Sequence, residues 1–201
     1  MSRFADRYPE LVALLKAAYG EPHRAYHTWD HIAALLVDYV RLADRFACPE
    51  AVETALYWHD AIYQPRAKDN EAESAAWMIR EMMGKADTDC LRHAEAIILA
   101  TATHRIPDGA DAALARDCAL FLDMDLAILG APEAAFDAYD EAIREEFKEI
   151  PDQLYLTGRK TIMEGFLRRE RLYLTDDFHA SHDAPARANL TRLIERLSTS
   201  L

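Results

Sequence analysis

The segment Val52-Glu-Thr-Ala-Leu-Tyr-Trp-His-Asp-Ala-Ile-Tyr63 sets the expectations for both the fold and the site of this chain. Read with the period of an α-helix, one side of the segment carries Val52, Ala55, Leu56 and His59. The side that should face the core therefore has an imidazole where an aliphatic side chain is expected. Burying that ring without a partner would cost roughly 1–3 kcal/mol, so the sequence predicts a partner for it.

Asp60 follows His59 directly, and the pair has two interpretations. A divalent cation satisfies both groups at once, because it binds a neutral imidazole nitrogen and a carboxylate oxygen at ~2.0–2.2 Å. Alternatively, His59 is a core histidine bonded to a backbone carbonyl and Asp60 is its exposed neighbour. Two features favour the cation: His27 and His31 share one side of a predicted helix start, and carboxylates interrupt the apolar segment 121–126.

Longer blocks around these residues resemble the HD superfamily of metal-dependent phosphohydrolases, in particular a bacterial subfamily of predicted hydrolases. The similar blocks read Arg24-x-Tyr26-His27-x-x-x-His31-Ile32, His59-Asp60-x-x-Tyr63-x-Pro65, Asp69-Asn70-Glu71-x-x-Ser74-Ala75 and Asp125-Leu126-x-x-Leu129-Gly130. Later blocks begin at Arg144, Gly158 and Ala186, so the likeness covers most of the chain. The resemblance implies a fold and a metal site and does not specify a substrate.

Carried onto this sequence, the resemblance implies four metal ligands, namely His31, His59, Asp60 and Asp125. Asp125 is preferred to Asp123 because it interrupts an apolar side of its helix and matches the family block better, although both are candidates. Two carboxylates so close together in an apolar segment call for a cation or a basic partner. His27 is left open as a second ligand, a group beside the ligands or a substrate contact.

The resemblance also implies which groups act on the substrate. In the family, acidic residues soon after the His-Asp pair are thought to orient or deprotonate the attacking water. This makes Glu71 the expected catalytic partner of Asp60, with Asp69 as the nearest substitute. The alternative is that these carboxylates only complement a helix N-terminus. The expected substrate-binding residues, chosen for contacts to a phosphorylated ligand, are Arg24, His27, Asn70 and Arg144.

The expected reaction is hydrolysis of a small phosphorylated metabolite or nucleotide by a metal-activated water. The ligand set does not choose among manganese, iron, nickel, cobalt, zinc and magnesium. Two other functions stay open. An HD-type di-iron oxidoreductase would need more histidines, for which His27, His93 and His104 are available. A regulatory module would bind metal or nucleotide without turnover.

The composition of the chain limits its domain number, its partners and its location. The 201 residues, 51% of them hydrophobic, predict one domain over residues 1–201. A formal charge of −12 disfavours a nucleic-acid polymer as partner. The chain shows no run of ~20 apolar residues and no signal-peptide pattern, so we expect a cytoplasmic protein without a membrane partner. A homodimer is left open. Three dispersed cysteines predict neither a disulfide framework nor a thiolate zinc site.

The periodic pattern predicts an all-α, HD-type bundle of about eight or nine helices with the metal site in its core. A helix starting near residue 50 carries the His-Asp pair, and the next helix is capped by Asp69 or Asn70, with Glu73 completing a capping box. His93 falls off the apolar side of its helix and is expected in solvent. The other predicted helices span about 11–19, 28–46, 88–103, 112–129, 133–148, 151–174 and 185–197.

Overall fold

A computed structural model describes residues 3–199, and every regular element in that range is helical. The all-α class predicted from the sequence is confirmed. The ten α-helices are α1 (Arg3–Arg7), α2 (Pro9–Tyr19), α3 (Trp29–Leu42), α4 (Pro49–Trp58), α5 (Asn70–Met82), α6 (Thr88–Thr101), α7 (Ala112–Asp125), α8 (Glu133–Glu146), α9 (Asp152–Leu167) and α10 (Asp176–Thr199). Two short 3-10 helices cover Ala43–Arg45 and Leu126–Gly130.

The chain divides into two compact units, of which the first ends at Met124 and the second begins at Asp125. The division falls within α7, whose last residue is Asp125. The first unit therefore contains α1 to α6 and almost all of α7. The second contains the 3-10 helix Leu126–Gly130 and α8 to α10. The expectation of a single domain over residues 1–201 stays a prediction.

Helix α4 is the centre of the first unit, because all its residues from Ala51 to Trp58 are buried. It packs against α6, α3, α5, α1 and α2. Two of its buried residues are polar, and one of them, Glu53, accepts a hydrogen bond from the backbone N–H of Phe4 at 3.3 Å. That bond ties α1 to α4. Helix α1 is not among the helices predicted from the sequence, because its five residues are too few to show a helical period.

Helix α3 begins where its sequence predicts a cap. Thr28 is extended and its hydroxyl accepts a hydrogen bond from the N–H of Asp30 at 3.4 Å. The helix then buries one side, made of His31, Ile32, Leu35, Tyr39 and Leu42. His31 thus lies in the first turn, on the side that faces the core. The helix is shorter than predicted, since a 3-10 turn replaces its last residues.

The start of α5 differs from the predicted capping box. Asp69 occupies the N-cap position, but its side chain makes no capping hydrogen bond. The side chain of Asn70 instead bonds both backbone groups of Gln64, at 3.0 Å each. Asp69 is thus the N-cap residue, as predicted, but the capping hydrogen bond expected from its side chain is not formed, and Asn70 closes the loop 64–70 instead.

The second unit packs α10 against α9 and against the 3-10 helix Leu126–Gly130. Asn189 on α10 donates from one amide nitrogen to the carbonyls of Leu129 and Ala131, at 3.0 and 2.9 Å. Helix α10 is longer than predicted and keeps Pro185 in its interior. None of the helices within residues 3–199 combines the length and apolar character needed to cross a membrane.

Candidate metal centre

Three side chains of the first unit converge just after α4 and at the start of α3. Nε2 of His59 lies 3.2 Å from Nε2 of His31 and 3.1 Å from Oδ2 of Asp60. Nε2 of His31 and the same Asp60 oxygen are 3.9 Å apart. Two ligands of one ion with bonds of ~2.0–2.2 Å lie roughly 3–4 Å from each other, so these separations fit a shared cation.

The ring of His59 is held from its other side. Its Nδ1 lies 3.0 Å from the carbonyl oxygen of Leu56, one turn earlier in the chain. A carbonyl oxygen only accepts, so Nδ1 carries the hydrogen and the lone pair of the neutral ring is on Nε2. Phe121 packs edge-on against the ring, with centroids 5.5 Å apart. This arrangement is typical of metal-binding histidines, whose second nitrogen donates to a carbonyl or carboxylate.

The sequence predicts that His59 and Asp60 lie within a helix, but in the structure both residues follow the end of α4. Helix α4 ends at Trp58, and His59 keeps helical dihedral angles as the C-cap, its N–H bonding the Ala55 carbonyl at 2.9 Å. Asp60 follows in the turn. The side chains of consecutive residues in a helix point about 100° apart, whereas a turn allows both side chains to approach one point.

Arg24 holds the backbone of this turn. Its Nη1 donates to the carbonyls of Asp60 at 2.7 Å and His27 at 3.1 Å, and its Nη2 donates to Ala61 at 3.0 Å. Its Nε donates to Glu21 at 3.1 Å, and the side chain is fully buried. The expected phosphate contact of Arg24 stays a prediction, whereas its contacts to the backbone are explicit.

The carboxylate at the end of α7 is the fourth expected ligand. Asp125 is the last residue of α7 and the first residue of the second unit. Its role as a ligand stays a prediction, and so does that of the alternative Asp123, which is buried.

His27 stacks on Tyr63, with ring centroids 4.1 Å apart, and its centroid is 6.2 Å from that of His31. It therefore borders the site without joining the group of ligand atoms. His23 contacts the backbone carbonyl of Tyr63 at 2.7 Å. The rings of His23, His27 and Tyr63 therefore lie together beside the turn. Tyr63, which belongs to the second sequence block, contacts both histidines there.

Asn70 and Glu71 begin α5, after the loop that follows the turn. Both are half-buried. Ser74, one turn later, is fully buried and bonds both backbone groups of Ile62, at 2.9 and 3.2 Å. These contacts tie the start of α5 to the segment that follows Asp60. The role of Asn70 shown by the structure is to close its own loop, and its substrate contact stays a prediction.

Arg144 belongs to the second unit, on α8. Its guanidinium donates to the carbonyl of Phe147 at 2.7 Å and to the carboxylate of Asp152 at 2.6 Å, and it lies over the ring of Tyr155. These contacts brace the connection between α8 and α9. A role in substrate binding stays a prediction for this residue. His104 follows α6 and has a positive φ of 48°, which marks a turn.

His93 is not in solvent as expected. Its side chain is only 12% exposed, and its Nε2 lies 3.0 Å from a carboxylate oxygen of Asp117, which is fully buried. Asp117 is not among the site residues predicted from the sequence. Its only signal there is a carboxylate that adjoins Cys118 and Phe121 on the buried part of α7, and this signal does not identify His93 as its partner.

The chain matches no family model, no curated protein and no solved structure. The likeness to the HD superfamily therefore rests on the sequence blocks themselves. The chemistry of the site is independent of that likeness, since the imidazoles of His31 and His59 and the carboxylate of Asp60 are ligand types that divalent transition metals accept.

Proposed function

We propose that the chain is a metal-dependent hydrolase of small phosphoric esters, such as a phosphorylated metabolite or a nucleotide. One observation carries the proposal. Nε2 of His59 lies within 3.2 Å of both Nε2 of His31 and Oδ2 of Asp60, while its Nδ1 is committed to the Leu56 carbonyl. Two buried imidazole nitrogens and a carboxylate oxygen at these separations are a typical set of ligands for a divalent cation.

The residues of the chain divide the work. With its hydrogen on Nδ1, the neutral ring of His59 offers Nε2 as a ligand without a change of tautomer. His31 is held in the first turn of α3, and Arg24 fixes the turn of Asp60 through its carbonyl. When bound, a divalent ion lowers the pKa of a water molecule and polarises a phosphoryl oxygen.

Exposure indicates the side from which a substrate enters. The side chain of Asp60 is 18% exposed, compared with 5% for His31 and 1% for His59. Solvent and substrate therefore reach the site past Asp60. A carboxylate at that edge is suited to orient a water molecule. Glu71, half-buried at the start of α5, is the residue we assign to accept the proton of that water.

The test uses His59, because its two nitrogens can be replaced separately. In His59→Asn the side-chain amide N–H stands in for Nδ1 and keeps the bond to Leu56, but the ligand atom is lost. We expect a folded protein with an affinity for manganese at least roughly 100-fold lower than that of the wild type. Elemental analysis after gel filtration should then find little manganese bound to it. Hydrolysis of a panel of nucleotides and sugar phosphates should disappear with it.

The matched control is His179→Gln, which changes a histidine of the second unit and should leave metal content and turnover unchanged. If His59→Asn keeps manganese and hydrolysis, the site as described is wrong. If the wild type binds manganese but hydrolyses no phosphoric ester in the panel, the proposed hydrolase activity is wrong. The result would then favour a regulatory module that binds metal without turnover.

The di-iron oxidoreductase is not favoured by any observation in residues 3–199. His93 lies beside Asp117, and His27 and His104 are absent from the group of ligand atoms at this site. Iron measured at two per chain together with an oxygen-dependent reaction would reverse this preference.

A further inference from the structure

A second group of metal-ligating side chains lies elsewhere in the first unit. Cys48 precedes α4, His93 lies on α6 and Asp117 lies on α7. One ligand atom from each of the three is within 4.8 Å of the other two. The sequence predicts no zinc site with a thiolate ligand, because its cysteines form no closely spaced pair, whereas these candidate ligands come from three distant segments.

Asp117 is prepared as a ligand by its backbone contacts. Its Oδ1 accepts a hydrogen bond from the N–H of Ala47 at 2.7 Å, and its Oδ2 accepts one from the N–H of Cys48 at 2.8 Å. The side chain is fully buried. A carboxylate has about four acceptor positions, so two hydrogen bonds orient it and leave lone pairs for a cation.

The contact between His93 and Asp117 has an unusual geometry. Nε2 of His93 is 3.0 Å from Oδ2 of Asp117, close enough for a strong hydrogen bond. Yet Nε2, although buried, has no hydrogen-bond partner among residues 3–199. An imidazole and a carboxylate that are close but not aligned with each other are arranged like two ligands of one ion.

We propose that Cys48, His93 and Asp117 form a zinc site with a structural role. Thiolate, imidazole and carboxylate are the three side-chain ligands that zinc accepts, at ~2.0–2.3 Å, and a thiolate favours zinc over manganese or magnesium. On binding, the thiol of Cys48 releases its proton to solvent and its sulfur becomes the third ligand. A water molecule completes the tetrahedron.

The position of this site suggests its purpose. Cys48 is the N-cap residue of α4, and its side chain makes no capping hydrogen bond. An ion bound to Cys48, His93 and Asp117 joins the beginning of α4 to α6 and α7. The other end of α4 leads directly to His59 and Asp60. The zinc ion therefore fixes the helix that positions the proposed catalytic ligands, without contacting the substrate.

Cobalt is the probe, because it replaces zinc and reports its ligands spectroscopically. The full-length chain is stripped of metal with a chelator under reducing conditions and titrated with Co²⁺. We expect a thiolate-to-cobalt charge-transfer band in the near ultraviolet, which zinc then abolishes by displacement. The site with His31 and His59 has no sulfur ligand, so it cannot produce this band, and His59→Asn should retain it.

Cys48→Ser should lose the charge-transfer band, while Cys118→Ser, which changes a buried cysteine of the same unit outside the group, should keep it. His93→Gln should keep a thiolate ligand but bind cobalt on the order of 100-fold more weakly. Circular dichroism confirms that each variant is folded, and if Cys48→Ser does not fold, His93→Gln decides. A wild type without the band, or with a band unchanged in both variants, overturns the proposal.

Discussion

Arg24 is the residue that connects the two sequence blocks of the candidate metal centre. Its guanidinium bonds the carbonyls of His27, Asp60 and Ala61, so it joins the approach to α3 with the turn after α4. An arginine can make these bonds together because its five N–H groups form a planar fork. A lysine offers one point charge and cannot reach all three oxygens.

We predict that Arg24→Lys destabilises the protein by roughly 2–4 kcal/mol, since several hydrogen bonds from a charged, buried donor are lost and backbone carbonyls are left without partners. The free energy of unfolding is measured by urea denaturation. Arg41→Lys is the control, because Arg41 is exposed and its ion pair with Asp38 should contribute less than about 1 kcal/mol. Equal stability of the two variants would contradict the role given to Arg24.

The same variant separates positioning from direct substrate contact. If Arg24 only positions Asp60, then Arg24→Lys weakens manganese binding in the absence of any substrate. If Arg24 instead binds phosphate, manganese affinity is unchanged and only KM rises. The observed contacts favour the first result.

The two histidines His59 and His93 show what the sequence could and could not reveal about single residues. His59 could be found because an imidazole interrupts an apolar side that is continuous in sequence. His93 could not, because its partner Asp117 is distant in the chain and the periodicity of α6 places His93 off its main apolar side. The periodicity of apolar residues in a sequence predicts which side of one helix faces the core. It does not predict which polar groups of different helices contact each other there.

Helix boundaries show the same limit at the level of elements. Pro185 suggested the start of a helix, since proline is favoured in a first turn. In the structure α10 runs through it from Asp176. Proline removes one hydrogen bond to the preceding turn, and a long helix packed on α9 tolerates that loss. Conversely, no glycine or proline stands at the end of α4 at Trp58, so no residue there signals the end of the helix.

Gly130 ends the 3-10 helix of the second unit at a close approach to α10. A Cβ at this position would lie 2.8 Å from Cβ of His182 and 2.9 Å from its carbonyl oxygen. The backbone of a helix cannot move aside as a flexible side chain can. The glycine of the fourth sequence block is therefore required by packing between these two elements.

We predict that Gly130→Ala destabilises the second unit by about 1–3 kcal/mol through overpacking. Gly158→Ala is the matched control, because a Cβ at Gly158 meets no atom within 4 Å and the residue lies inside α9. That change should stabilise the helix by up to about 1 kcal/mol. Urea denaturation followed by circular dichroism measures both, and a shift of the same sign in the two variants would refute the packing argument.

Asp140 links three helices of the second unit. Its Oδ1 accepts from Nε of Arg159 at 3.0 Å, and its Oδ2 accepts from Arg196 at 2.6 Å. Asp140 and Arg159 are buried. Removing the carboxylate leaves the guanidinium of Arg159 buried without its charge partner, and such changes are strongly destabilising.

Asp140→Ala should therefore lower the free energy of unfolding by about 3–5 kcal/mol. Asp152→Ala is the comparison, because Asp152 also pairs with an arginine, Arg144, but its side chain is 82% exposed. Its loss should be within about 1 kcal/mol. A thermal melt in matched buffer ranks the two, and the argument fails if Asp152→Ala is the less stable variant.

At the scale of the whole molecule, the distribution of tryptophan provides a way to observe one unit alone. All three tryptophans, Trp29, Trp58 and Trp77, precede the division at residue 124. Trp58 is fully buried next to His59 and packs edge-on against Trp77. Tryptophan fluorescence therefore reports the unfolding of the first unit, whereas circular dichroism reports helices of both.

A metal ion that binds only the folded first unit stabilises that unit by mass action. At a free manganese concentration about 100 times its dissociation constant, the gain is about 2.7 kcal/mol, which corresponds to a rise of roughly 5–10 °C in the fluorescence-detected Tm. Manganese is the suitable ion because it prefers nitrogen and oxygen ligands, and the thiolate of Cys48 should not compete for it. The rise should be absent in His59→Asn and present in Cys48→Ser. If manganese raised the Tm of His59→Asn as much as that of the wild type, the ion would be stabilising the first unit from some place other than the imidazoles of His31 and His59.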